Sequence, residues 1–150
     1  MELKNYSNYQ NNLGQKVLAI DYGTKVIGLA IFNIGFDPYP LLYGKIITSP
    51  KSHDEIIEII KREEIDTVIL GIPYLLDGKS TDMTRRILSY GESLKKKINA
   101  INFHFQDETL SSFEAEQRMI NSPRFNFKID KKQIDSLEAS IILEDWIKSE

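Results

Sequence analysis

The chain has 150 residues, 41% hydrophobic, 27% charged and 10% aromatic, a length that suits one domain and a core needing no covalent staple. It has no cysteine, which excludes disulfide frameworks, thiolate nucleophiles and cysteine-type zinc sites, and its two histidines, His53 and His104, match no metal-ligand spacing. The formal net charge of −3 gives no whole-molecule attraction to nucleic acid or anionic membrane, so any such contact must come from a local cluster among the 19 Lys and Arg residues.

Residues 1–15 are polar and rich in Asn and read as a flexible N-terminal extension ahead of a domain at 16–150. They lack the apolar stretch of a secretory signal, and no run along the chain is long enough to span a bilayer, so a soluble cytoplasmic protein is expected. The continuous apolar run Val17-Leu18-Ala19-Ile20 suits a strand covered on both faces. Val26–Phe32 and about Leu41–Thr48 follow across short turns, which predicts an antiparallel meander of three strands. The period then becomes helical, with Ile56, Ile57, Ile59 and Ile60 behind an opening near Ser52 and Asp54. Thr67–Pro73 is a fourth strand, stopped by its proline, and a helix from about Ser80 to Asn99 leads to a fifth strand at Ile101–Gln106. Leu110–Ile120 reads as a short helix, Asn121–Lys131 has no period, and a last helix runs from about Lys132 to Lys148. The expected fold is α/β: a mixed five-stranded sheet, its first three strands antiparallel, with helices on both faces.

Three sets of carboxylates stand out. Asp21 closes the first buried strand on the face of Val17 and Ala19, although an Asp before Tyr22-Gly23 is equally a turn former. Asp135 shares a helical stripe with Ala139, Ile142 and Trp146, the apolar, sheet-facing stripe. A carboxylate there needs a partner: a metal, a base, open solvent or the N-terminal end of the helix dipole. Asp107-Glu108 ends the fifth strand, where either acid could cap the next helix, and at most one of them can face a site shared with Asp21. Hard oxygen ligands without His or Cys suit Mg²⁺ or Mn²⁺, and carboxylate-held ions are the usual apparatus of phosphodiester cleavage. Nothing in the chain marks a nucleophile elbow for a Ser/His/Asp triad.

Four motifs in order resemble the YqgF family of pre-16S rRNA nucleases, which have a ribonuclease H-like fold and are similar to Holliday-junction resolvases. They are Leu18-Ala19-Ile20-Asp21-Tyr22-Gly23-Thr24-Lys25; Val68-Ile69-Leu70-Gly71-Ile72-Pro73 with Asp77-Gly78; Asp107-Glu108-Thr109-Leu110-Ser111-Ser112 with Glu114-Ala115; and Ile134-Asp135-Ser136-Leu137-Glu138-Ala139 with Ile141-Ile142-Leu143. The resemblance covers about residues 16–148. It implies catalytic roles for Asp21, Glu108 and Asp135, and metal ligands drawn from these and Asp107. It also implies Mg²⁺ or Mn²⁺ as cofactor, nucleic acid (precursor rRNA or branched DNA) as partner, and a monomer or homodimer. Thr109 and Val26 stand where the family usually carries arginine, so two cations that could meet phosphate are missing.

Arg124, Lys128, Lys131 and Lys132 cluster around Phe125 and Phe127, a pattern that suits phosphates with stacked bases or, as the alternative, a solvated loop with its phenylalanines in the core. Lys25, in the first motif, joins the expected nucleic-acid contacts. The function expected is a metal-dependent nuclease maturing the 5′ end of precursor 16S rRNA. The alternatives are a Holliday-junction endonuclease, a non-catalytic nucleic-acid-binding module, or an actin-like nucleotide-binding protein, since Asp21-Tyr22-Gly23-Thr24 also resembles the phosphate loop of that superfamily. The last needs two lobes and usually more than twice this length.

Overall fold

A computed structural model describes residues 2–74, 78–108 and 112–149. At its centre lies β1 (Lys16–Tyr22), in which Val17, Leu18, Ala19 and Ile20 are all fully buried. An apolar run without alternation has no face to offer water, so β1 sits between strands and under helices on both sides. β2 (Val26–Asn33) pairs antiparallel with β1, and β3 (Leu41–Ile47) antiparallel with β2. On the other side β4 (Thr67–Pro73) and then β5 (Asn102–Glu108) pair in parallel, giving the order β3-β2-β1-β4-β5. This is the expected mixed sheet.

The parallel crossovers are α2 (Ser52–Glu63) and α3 (Asp82–Lys97), both packed on one face of the sheet. There Ile56, Ile59 and Ile60 of α2 and Ile87 and Leu94 of α3 bury Leu18, Ile20, Val68, Leu70 and Ile72. The opposite face, formed by Val17, Ala19, Ala30, Phe32 and Ile69, is covered by α5 (Ile134–Lys148) through Ala139, Ile142, Leu143 and Trp146. A short helix α4 (Ser112–Ile120) leans on α5, with Ala115 and Met119 against Leu137 and Ile141. Among the described residues no helix is long and apolar enough to cross a membrane.

Several boundaries differ from the expected ones for local reasons. α3 starts at Asp82 rather than Ser80 because Thr81 and Thr84 form a reciprocal capping box. α5 starts two residues late because the Asp130 carboxylate accepts from the Lys132 amide and the Gln133 side chain, closing a separate turn first. β5 extends through Asp107 and Glu108, which pair with Ile72 and Pro73. Asp77, Thr109, Leu110 and Ser111, named in the sequence motifs, lie outside the described residues. In the N-terminal segment, read from the sequence as a flexible extension, several side chains reach the core. After a 3-10 turn at Leu3–Asn5, helix α1 (Ser7–Gln10) forms; Leu3, Tyr6 and Tyr9 pack on the α5 side of the core, and Asn8 Nδ2 donates to the Trp146 carbonyl at 2.8 Å.

One contact fixes how α5 sits. The β2–β3 ladder shifts register between Leu29 and Ala30, so regular pairing breaks at that point. The buried Ser136 hydroxyl fills the break, donating to the Leu29 carbonyl and accepting from the Gly44 amide at 3.1 Å. Removing it strands two backbone groups. Ser136→Ala should therefore lower the urea unfolding free energy by about 2–3 kcal/mol. Ser140→Ala, whose hydroxyl donates only to the Leu137 carbonyl within α5, should cost less than about 1 kcal/mol and serves as the comparison.

Candidate active site

Alternation along β1 puts Asp21 on the α5 side, two residues beyond Ala19. Register then builds a row across the sheet: Asp21 opposes Gly28 of β2, and Gly28 opposes Lys45 of β3. On the other flank, one step past the registered pair Ile20–Leu70, lies Gly71 of β4. Both glycines make room. A Cβ on residue 28 would fall 2.0 Å from the Asp135 carbonyl oxygen, so the first turn of α5 rests directly on β2. A Cβ on residue 71 would fall 3.1 Å from Cδ and Oε1 of Glu108 and 2.5 Å from Ile142 Cδ1. Glycine at 71 thus allows the Glu108 side chain to lie across β4 toward Asp21.

The strand parity of β5 separates the acid pair. Phe103 and Phe105 face the α2/α3 side, while the His104 ring lies 5.7 Å from Trp146 of α5. Glu108 therefore shares the Asp21 face, and Asp107 points to the other side and is exposed. Asp107, expected among the possible ligands, is not brought to the other acids. Asp135 lies at the rim, its side chain 26% exposed and its Oδ2 3.7 Å from Lys45 Nζ.

One acid that acts on Asp21 is one to which the sequence reading gave no role. Glu138 hydrogen-bonds the Asp21 side chain. The signal was available, since Glu138 stands three residues after Asp135 and so falls on the same side of the helix. Burial drives the Asp21 carboxyl well above the usual range, with the Glu138 hydrogen bond next and the charges of Glu108, Glu138 and Asp135 adding to it. Glu108 is pushed up to about 7, by burial first and then by Glu138 and Asp145. Asp145 is raised too, by burial and then by the charges of Glu114 and Glu144. Among the described residues no three His, Asp or Glu side chains are disposed to grip one ion as they stand. The donor set nevertheless fits a hard divalent cation: the groups facing one another are carboxylates, and their mutual repulsion is what such an ion relieves.

The expected cationic residues divide. Lys25 is exposed in the β1–β2 turn, its carbonyl accepting from the Thr48 amide at 2.9 Å. Lys128, Lys131 and Lys132 are exposed. Arg124 lays its guanidinium over the Tyr39 ring at 4.3 Å, and Phe125 is buried, while Phe127 is 61% exposed. The His53 ring lies 4.3 Å from that of Tyr90, tilted by 52°, with Lys97 Nζ 3.1 Å from its Nδ1.

This is the ribonuclease H-like fold of the RuvC-type resolvases. The chain superposes on Thermus thermophilus RuvC in complex with Holliday junction substrate with a TM-score of 0.55 at 14% identity, covering 88% of this chain and 94% of that one. On Fowlpox virus resolvase, solved with Holliday junction DNA, the TM-score is 0.51 at 14% identity, over 90% of this chain and 100% of that one. The chain belongs to the RuvX family, described as "Holliday junction resolvase", which matches residues 15–149. It is 37% identical over 135 residues to a "Putative pre-16S rRNA nuclease" of Maridesulfovibrio salexigens (88% of this chain, 97% of that protein). It is 32% identical over 142 residues to the Malacoplasma penetrans protein of the same description (92% and 97%). The YqgF resemblance read from the four motifs is thereby borne out.

The raised carboxyls make stability depend on pH in a defined direction. Folded Glu108, titrating near 7, still holds its proton where the unfolded chain has lost it. Its contribution is therefore complete below the ordinary glutamate range and disappears as pH rises through 7, a change on the order of 3 kcal/mol. Asp21, also raised, acts in the same direction. The urea midpoint of the metal-free protein should fall between pH 5 and pH 8. Asp21→Asn should raise the midpoint at pH 8 by more than it does at pH 5.

Proposed function

We propose that this chain is a divalent-metal-dependent nuclease that hydrolyses phosphodiester bonds and matures the 5′ end of precursor 16S rRNA in the cytoplasm. The observation that carries the reading is the group of half-buried carboxyls under α5, with glycines on both sides of Asp21 and Lys45 beside Asp135 at the rim. Relatives described as pre-16S rRNA nucleases at up to 37% identity support the substrate. In this reading Asp21, Glu108 and Asp135 are the catalytic acids and hold Mg²⁺ or Mn²⁺, which when bound stabilises negative charge on the attacking or leaving oxygen.

The protein's own groups do the rest. Asp21 is fixed by β1 and cannot withdraw, so the geometry of the site is set by a strand rather than a loop. Glu108, lying across β4 toward Asp21, holds its proton up to about pH 7 in the metal-free protein and would give it up on binding the ion. Glu138 holds the hydrogen bond to Asp21 in the metal-free protein and must let go of it for Asp21 to present both oxygens. Asp135, with Lys45 beside it, closes the rim. Lys25, Lys128, Lys131 and Lys132 are exposed cations available to substrate phosphates.

A second reading, cleavage of four-way DNA junctions, is favoured by the description of the RuvX family. The two are separated by incubating purified protein and Mg²⁺ or Mn²⁺ with a precursor 16S rRNA 5′ fragment beside a synthetic four-way junction. Cleavage of the RNA is expected, and cleavage of the junction alone would favour the second reading. Asp21→Asn, Glu108→Gln and Asp135→Asn should each lower the rate by about 100-fold or more. Double variants should be little worse than single ones, because groups acting as a unit are not additive. Glu114→Gln, an exposed acid paired to Arg118 along α4, should keep near-full activity. Undiminished metal-dependent cleavage by Asp21→Asn would contradict the assignment.

A further inference from the structure

The turn between α4 and α5 carries a side chain that neither the backbone nor the core accounts for. Asn126 and Phe127 are consecutive residues in the left-handed region, with φ of 56° and 58°. Asn adopts that conformation readily, but phenylalanine does so only under constraint. The constraint is visible. The Asn126 amide donates to the Pro123 carbonyl at 3.0 Å, the Phe127 amide to the Ser122 carbonyl at 3.0 Å and the Lys128 amide to the Phe125 carbonyl at 3.1 Å. The turn is therefore a built one, and glycine at 127 would satisfy it with less strain.

Burial gives no compensation, because the Phe127 side chain is 61% exposed while its neighbour Phe125 anchors the turn in the core at 7%. Strain kept at an exposed aromatic points to a use for the ring. The surroundings indicate which use. Lys128, Lys131 and Lys132 follow it within five residues and are exposed, and none of them has an ion pair among the described residues. The Asp130 carboxylate is occupied locally by the Lys132 amide and the Gln133 side chain. The same turn leads into the first turn of α5, which carries Asp135. Phe36 is more exposed at 82%, but it sits beside Asp37, and its backbone is not in the left-handed region.

We propose that Phe127 is a stacking platform for an unpaired base of an RNA substrate, with Lys128, Lys131 and Lys132 meeting the phosphates on either side. A flat aromatic ring offers itself to any base that is free of its partner, whereas a base inside a duplex already has both faces covered. The site would therefore favour a single-stranded end or junction over continuous duplex. This proposal rests on the nucleic-acid reading above and adds to it which strand form is bound and by which residue.

The test is binding of a short single-stranded oligoadenylate carrying 2-aminopurine, beside an RNA duplex of the same length, over a range of salt concentrations. Phe127→Gly should weaken single-strand binding by about 5- to 100-fold and abolish the quenching of 2-aminopurine, with duplex binding little changed. Its Tm should be equal to or above that of the parent, because the left-handed strain is relieved, which separates a binding role from a structural one. Phe127→Tyr should restore both affinity and quenching. Phe127→Gly should leave the salt slope intact, whereas removing Lys128, Lys131 and Lys132 together should flatten it by about one unit per lost contact. Unchanged single-strand affinity in Phe127→Gly, with binding still lost in the triple lysine variant, would overturn the stacking role and leave the nucleic-acid reading standing. If the parent protein binds neither RNA, both fall.

Discussion

The position of α5 is the constraint from which the site follows. Its first turn rests on β2 where Gly28 has no side chain, and the Ser136 hydroxyl bridges the irregularity between β2 and β3. Together these set the depth and rotation of the helix. The consequence is chemical: Glu138 reaches Asp21, and Asp135 comes to the rim beside Lys45. A side chain at residue 28 would push the helix off the strand and take both acids with it.

That docking creates an electrostatic cost that the rest of the molecule bears. Asp21 and Glu108 are held in a low-dielectric layer beside Glu138, and burial and repulsion raise both carboxyls. The large apolar surfaces on the two sides of β1 offset this, since the strand is fully buried from Val17 to Ile20. A site that is unfavourable without its ligand and supported by a stable frame is a common arrangement in enzymes. Here the frame is the sheet centre and the unfavourable part is the edge of the same strand.

The frame was readable in the sequence because its strands are continuous apolar runs. Thr67–Pro73 has the same bounds in both readings, ended by a proline that cannot continue the ladder. The Asp135 stripe also followed from spacing alone, as α5 presents Ala139, Ile142 and Trp146 to the sheet. What spacing could not give was register. Only the pairing of Glu108 with Pro73 fixes which of the two adjacent acids faces Asp21, and only the pairing of Gly28 with Lys45 brings a lysine to Asp135. Glu138 was hidden for a different reason: it stands one position before Ala139, beside the apolar stripe rather than on it. The N-terminal segment was hidden by composition, because its few apolar rings, Tyr6 and Tyr9 among them, lie between asparagines.

In the proposed function, Asp21, Glu108 and the first turns of α5 hold one divalent ion on the sheet face under that helix. The most direct measurement is a titration with Mn²⁺ followed by paramagnetic broadening of the backbone amide signals. At substoichiometric Mn²⁺ the signals of Asp21, Gly28, Gly71, Glu108 and residues 135–138 should broaden first and together, and Asp21→Asn should remove the effect. Broadening centred on Asp107 or the exposed acids of α2, with Asp21 and Glu108 unaffected, would contradict it.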